Sequence, residues 1–187
     1  MAFADFFRRS RPHEDAALSL YRSLVEKARD PAFYAALGVP DTVNGRFDML
    51  VIHAMLVLRR LRGGGTMANR TGKLMLELMF RDMDQSLREM GVGDMGVGKH
   101  IKKMAKAMFG RGERYEAALD GDDPAAVAEA LKENIYRQGA PADAVVAQMA
   151  DYMRRADAHA QREDVAEIAA GRINLAVPVL AGGMHVG

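Results

Sequence analysis

The chain contains no cysteine. Disulfides and thiolate metal sites are therefore excluded, and the composition suits a reducing compartment. No stretch reaches the ~20 predominantly apolar residues that a membrane span needs. The longest apolar run, Phe47 to Leu58, is shorter and is interrupted by Asp48 and His53. The formal net charge is only +1, which argues against one strongly electrostatic partner for the whole surface. Catalytic arrangements are missing as well. His13, His53, His100, His159 and His185 are scattered, and none belongs to an H-E-x-x-H or Glu-x-x-His pattern. Nothing pairs a nucleophile with a base. No enzyme activity, metal or cofactor is expected. The N-terminus carries Asp5 and no apolar h-region, so a secretory signal is not expected. No segment alternates as a strand does, and there is no internal repeat.

What remains is helix. Phe47, Leu50, Val51, Ala54, Leu58 and Leu61 recur at helical spacing, and Met49, Ile52, Met55 and Leu56 cover the opposite side. A helix apolar nearly all round is buried in a larger core when it is too short to span a bilayer. It is predicted from Thr42 to Leu61, capped by Asp41 or Thr42, with Arg59, Arg60 and Arg62 at the end where the helix dipole favours cations. His53 then reads as a hydrogen-bonded interior histidine. Around it the spacing predicts helices over Pro12–Lys27, Pro31–Leu37, Asn69–Met90 and Val97–Phe109, a bend at Gly110 to Gly112, and further turns over Glu113–Leu119. Asp123-Pro124 opens a helix to Gln138, and Pro141 opens another to Ala160, resuming over Asp164–Ala170. The expected fold is an all-α, single-domain helical bundle around a buried central helix. Residues 1–14 form a basic and aromatic arm, 15–170 the helical domain, and 171–187 a flexible tail. Fourteen methionines are many, and they fill irregular cores or line adaptable binding surfaces.

Three local patterns suggest contacts. Gly91, Gly93 and Gly96 match G-x-G-x-x-G, and Gly93, Gly98 and Lys99 match the first part of a phosphate-binding loop. That chemistry needs a preceding strand and a Ser or Thr after the lysine; here a helix precedes and His100 follows. A tight turn between helices is the better reading. Lys99, Lys102, Lys103 and Lys106 share one helical side, with His100, Arg111 and Arg114 nearby, and such a patch suits ribosomal RNA, an anionic lipid surface or an acidic protein. Phe3, Phe6 and Phe7 with Arg8 and Arg9 form an arm suited either to an anionic membrane surface or to docking back on the domain.

Several segments together resemble the ubiquinol–cytochrome c chaperone family. They are Tyr21 with ARDPAFY (28–34), LGVPDTVNGRFDMLVIH (37–53), MFRDMDQSLREMGVGDMGVGKHIKKM (79–104), FGRGERY (109–115) and ALKENIYR (130–137). The resemblance covers roughly 15–155. It implies a non-enzymatic assembly factor that receives newly made cytochrome b during biogenesis of the ubiquinol–cytochrome c reductase complex. Relatives work with a small partner protein near the ribosome. Without a long targeting extension, this chain resembles a bacterial member, cytoplasmic and peripheral at the inner membrane. The matched segments include Arg46, Asp48, His53, Asp82, Asp84, Arg88 and Glu89, which the resemblance nominates for contact with client or partner. The alternative is a ribosome- or RNA-binding module using 99–114.

Overall fold

A computed structural model describes residues 12–91 and 93–175. Its eight described helices are α1 (Pro12–Ala28), α2 (Pro31–Ala35), α3 (Val43–Leu61), α4 (Gly65–Glu89), α5 (Asp94–Asp120), α6 (Ala126–Asn134), α7 (Asp143–Arg162) and α8 (Val165–Ala169). There is no strand among the described residues. The fold is an all-α bundle. α3 packs against α1, α4, α5, α7 and α8, while α1 with α4, α4 with α5, α5 with α6 and α6 with α7 enclose it.

The central helix forms where its signals lie. Thr42 is extended and its hydroxyl accepts the Gly45 amide at 3.1 Å, which satisfies one otherwise orphaned donor of the first turn. Every residue from Phe47 to Val57 is buried, polar Asp48 and His53 included. Gly45 is required by packing: a Cβ there would lie 1.9 Å from the Pro40 carbonyl oxygen, because the Val39-Pro40 turn crosses directly over the helix start. At the far end Arg59 meets Asp120 of α5 and Asp157 of α7, Arg62 meets Glu116 of α5, and Arg60 donates to the Glu163 carbonyl at 2.9 Å. The cations that suit the dipole also tie α5, α7 and the α7–α8 link to the helix.

Several boundaries differ from expectation, three of them for reasons visible in the packing. The loop expected over Gly63–Ala68 ends early, because α4 begins at Gly65 and buries Ala68. The bend expected at Gly110–Gly112 is absent. α5 runs straight through, since a helical glycine costs only about 1 kcal/mol and Met108, Arg111 and Tyr115 are all turned inward. α6 stops at Asn134, before the expected Gln138, because Ile135 and Tyr136 turn into the core. There the Tyr136 hydroxyl donates to the Leu37 carbonyl at 2.5 Å.

The methionines divide unevenly. Met49, Met55, Met75, Met79, Met83, Met108, Met149 and Met153 are core, and Met67 and Met90 are exposed. Among the described residues most methionines fill the interior, and no continuous methionine surface forms. After α8 the chain runs along α1. Gly171 is held by Ser19 Oγ, which donates to its carbonyl at 2.8 Å, and Ile173 and Leu175 pack partly against the core. Gly171 has φ +88°, and a Cβ there would meet Ala16 backbone at 2.8 Å. No described helix is long and apolar enough to cross a membrane.

Candidate functional site

The residues nominated from the sequence fall into an interior group and a surface group. Asp48 and His53 are interior, 2% and 0% exposed. From these positions they act on the fold and present nothing to a partner. Asp48 receives Arg111 of α5 and Arg137 after α6, the latter at 2.8 Å. Arg137 also donates to the Asn134 carbonyl, which anchors the end of α6. Burial pushes the Asp48 carboxyl above its ordinary range, and the two guanidiniums oppose that push. Arg111 lies over the Phe47 ring at 5.8 Å. Its guanidinium is thereby committed inward, so Arg111 leaves the basic patch to which its neighbours on α5 belong.

His53 is equally enclosed. Its Nδ1 lies 2.8 Å from the Met49 carbonyl and its Nε2 lies 2.7 Å from the Tyr152 hydroxyl. A carbonyl only accepts, so Nδ1 carries the proton and Nε2 accepts from Tyr152. Phe33 meets both rings edge-on, at 5.5 and 5.0 Å between centroids. Burial lowers the His53 pKa to about 4, so the ring is neutral. Four of the segments that carry the family resemblance, 28–34, 37–53, 109–115 and 130–137, thus converge inside the molecule. Phe33, Phe47, Asp48, His53, Arg111 and Arg137 come from separate stretches of chain and close two polar clusters on the central helix. Arg137 and Tyr152 were not anticipated in these roles. No local spacing signals a partner 89 or 99 residues away.

The surface group lies mainly on α4. Tyr21 of α1 donates to Asp82 at 2.6 Å, Arg88 donates to Asp84 at 2.7 Å, and Gln85 donates to Glu89 at 3.0 Å. Arg46 is exposed and donates to Asp41 at 2.8 Å. Lys99, Lys102, Lys103 and Lys106 are exposed on the first half of α5. Phe3, Phe6, Phe7, Arg8 and Arg9 lie outside the described residues.

The glycine pattern gives no phosphate cradle. Gly91, with φ +82°, follows the end of α4, and Gly93 caps α5, while Gly98 and Lys99 already lie within that helix. The element before them is a helix, and no strand occurs among the described residues. Among the described residues no group of acids and histidines is arranged to hold a metal.

With this geometry in hand, the sequence profile described as "Ubiquinol-cytochrome C chaperone" matches residues 35–176. The chain belongs to the ubiquinol–cytochrome c chaperone family. Similar proteins include the ubiquinol-cytochrome c reductase complex assembly factor 1 of Mus musculus, 26% identical over 140 residues, 75% of this chain and 47% of that protein. The Homo sapiens assembly factor 1 is 28% identical over 108 residues, 58% of this chain and 36% of that protein. The chain therefore spans half or less of the length of these two mammalian relatives. The crystal structure of the Cbp3 homolog from Brucella abortus is similar along nearly its whole length. It has a TM-score of 0.83 and 35% identity, covering 95% of this chain and 97% of that one. These matches span most of both buried clusters and the α4–α5 surface.

Proposed function

We propose that this protein is a non-enzymatic chaperone that binds newly made cytochrome b during assembly of the ubiquinol–cytochrome c reductase complex. It works in the cytoplasm, peripheral to the inner membrane. The observation that carries this reading is the extent of the likeness to proteins named as assembly factors of that complex, which runs through most of the folded chain. The mechanism follows from the fold. A holding chaperone needs a scaffold that stays folded while its surface engages a client. The two polar clusters on α3 fix the scaffold from inside. The charged surface residues of the matched block, Arg46, Asp82, Arg88 and Glu89, which are exposed, and Asp84, which is half-buried, are the proposed client contacts, with Met90 offering apolar surface beside them.

The test is genetic. Loss of the gene lowers the assembled reductase complex and leaves unrelated respiratory complexes intact. Complementation with Asp84→Lys plus Glu89→Lys restores a folded protein but not the complex. Normal complex levels in the deletion strain would contradict the proposal.

A further inference from the structure

α5 breaks local rules in its first half. Lys99, Lys102, Lys103 and Lys106 stand three and four residues apart on one exposed face. Like charges at that spacing repel each other. No acid occurs in the sequence between Met95 and Gly112 to offset them. None of these lysines has an ion-pair partner among the described residues, although Lys27, Lys73 and Lys132 elsewhere each find one. The acids at the end of α4 have partners of their own: Asp82 accepts from Tyr21, Asp84 from Arg88 and Glu89 from Gln85. One turn beyond Lys106, on the same side, Phe109 is 54% exposed. A face that costs stability and offers no internal contact in return is kept for an external one.

We infer that this face of α5 docks the protein on an anionic lipid bilayer, the lysines meeting headgroup phosphates and Phe109 entering the interface. Charge complementarity names the sign of the surface. The exposed phenylalanine beside the lysines supplies the apolar wedge that interfacial helices use. Lysine stems also cover apolar surface while their ammonium groups stay hydrated at headgroup level. A nucleic-acid surface is the weaker match, because the face holds no arginine fork for bidentate phosphate contact. The inference goes beyond the chaperone reading and does not need it: lipid binding requires no client.

The experiment is sedimentation of the full chain with phosphatidylcholine vesicles, with and without phosphatidylglycerol. Binding is expected only with the anionic lipid, weakening as salt rises. Lys102→Gln, Lys103→Gln and Lys106→Gln combined should lower the partition constant by on the order of a hundredfold, from about fivefold per lysine. Phe109→Ser should lower it by about tenfold. These are surface positions, and unchanged circular dichroism checks that the variants fold. No binding to anionic vesicles at low salt would overturn the inference. So would binding that survives the lysine changes and vanishes with Phe3→Ser, Phe6→Ser and Phe7→Ser, which would move the contact to the N-terminal arm. Retained binding to a structured RNA without any to vesicles would also overturn it.

Discussion

At the scale of single residues, the buried polar groups are the most informative. Asp48 is the shared counter-charge of two guanidiniums that reach it from different elements. Asp48→Ala leaves both arginines facing a low-dielectric interior with no counter-charge. Removing one partner of a buried pair costs about 3–5 kcal/mol, and the partial exposure of Arg111 and Arg137 reduces this to roughly 2–4 kcal/mol. Urea denaturation measures it; a loss below ~0.5 kcal/mol, the range of ordinary surface changes, would show that the cluster is not what holds α5 and α6 to α3. His53 makes a pH-dependent contribution. Unfolded histidine titrates at 6.5, whereas the folded ring titrates at about 4. Between those values the unfolded chain takes up a proton that the folded chain refuses. Stability therefore falls as pH drops from about 6.5 to about 4, by roughly 3 kcal/mol in total. His53→Gln should be less stable at pH 7 but should lack this part of the acid sensitivity. Parallel stability–pH profiles for the two proteins would contradict the assignment. His53 was legible from sequence as a hydrogen-bonded interior histidine, but its Tyr152 partner and the cluster at Asp48 were not. The types of residue were visible, but their partners lie far along the chain and are brought together only by packing.

At the scale of elements, boundaries set by local chemistry were legible and those set by packing were not. Thr42 capping α3 and Asp30-Pro31 opening α2 appear where side-chain oxygens can meet free amides. Glycine was a poorer guide. Gly63 has φ +78° and ends the turn after α3, yet Gly65 opens a helix, and Gly110 and Gly112 lie within one. Two substitutions separate these uses of glycine. Gly45→Ala forces a Cβ into the Pro40 carbonyl. It should destabilise by about 1–3 kcal/mol or more, through displacement of the turn that leads into α3. Gly110→Ala meets nothing within 4 Å and is expected to stabilise by about 0.5–1 kcal/mol. Thermal melts of both variants test the contrast. If Gly110→Ala were the more damaging, α5 would have to bend there after all.

At the scale of the whole molecule, the architecture was legible because one helix is apolar on every side and so demands neighbours all round. The surface was less so. The methionine content permitted a broad apolar face, and the fold instead spends most methionines on the core around α3. What the exterior offers is a mixed-charge end of α4, a lysine face on α5, and isolated apolar residues between them. Most of the proposed client contacts lie on the first of these and the proposed bilayer contact on the second. The lysine patch was visible in sequence, but the inward turn of Arg111 was not, since its partner sits 63 residues earlier. The central claim is that cytochrome b is the client. It is tested most directly by crosslinking the tagged protein in native membranes, purifying it under denaturing conditions and identifying what is attached by mass spectrometry. The account predicts cytochrome b enriched above other membrane proteins, and less of it when Asp84→Lys and Glu89→Lys are present. Capture of folded, abundant protein with no enrichment of cytochrome b would contradict it.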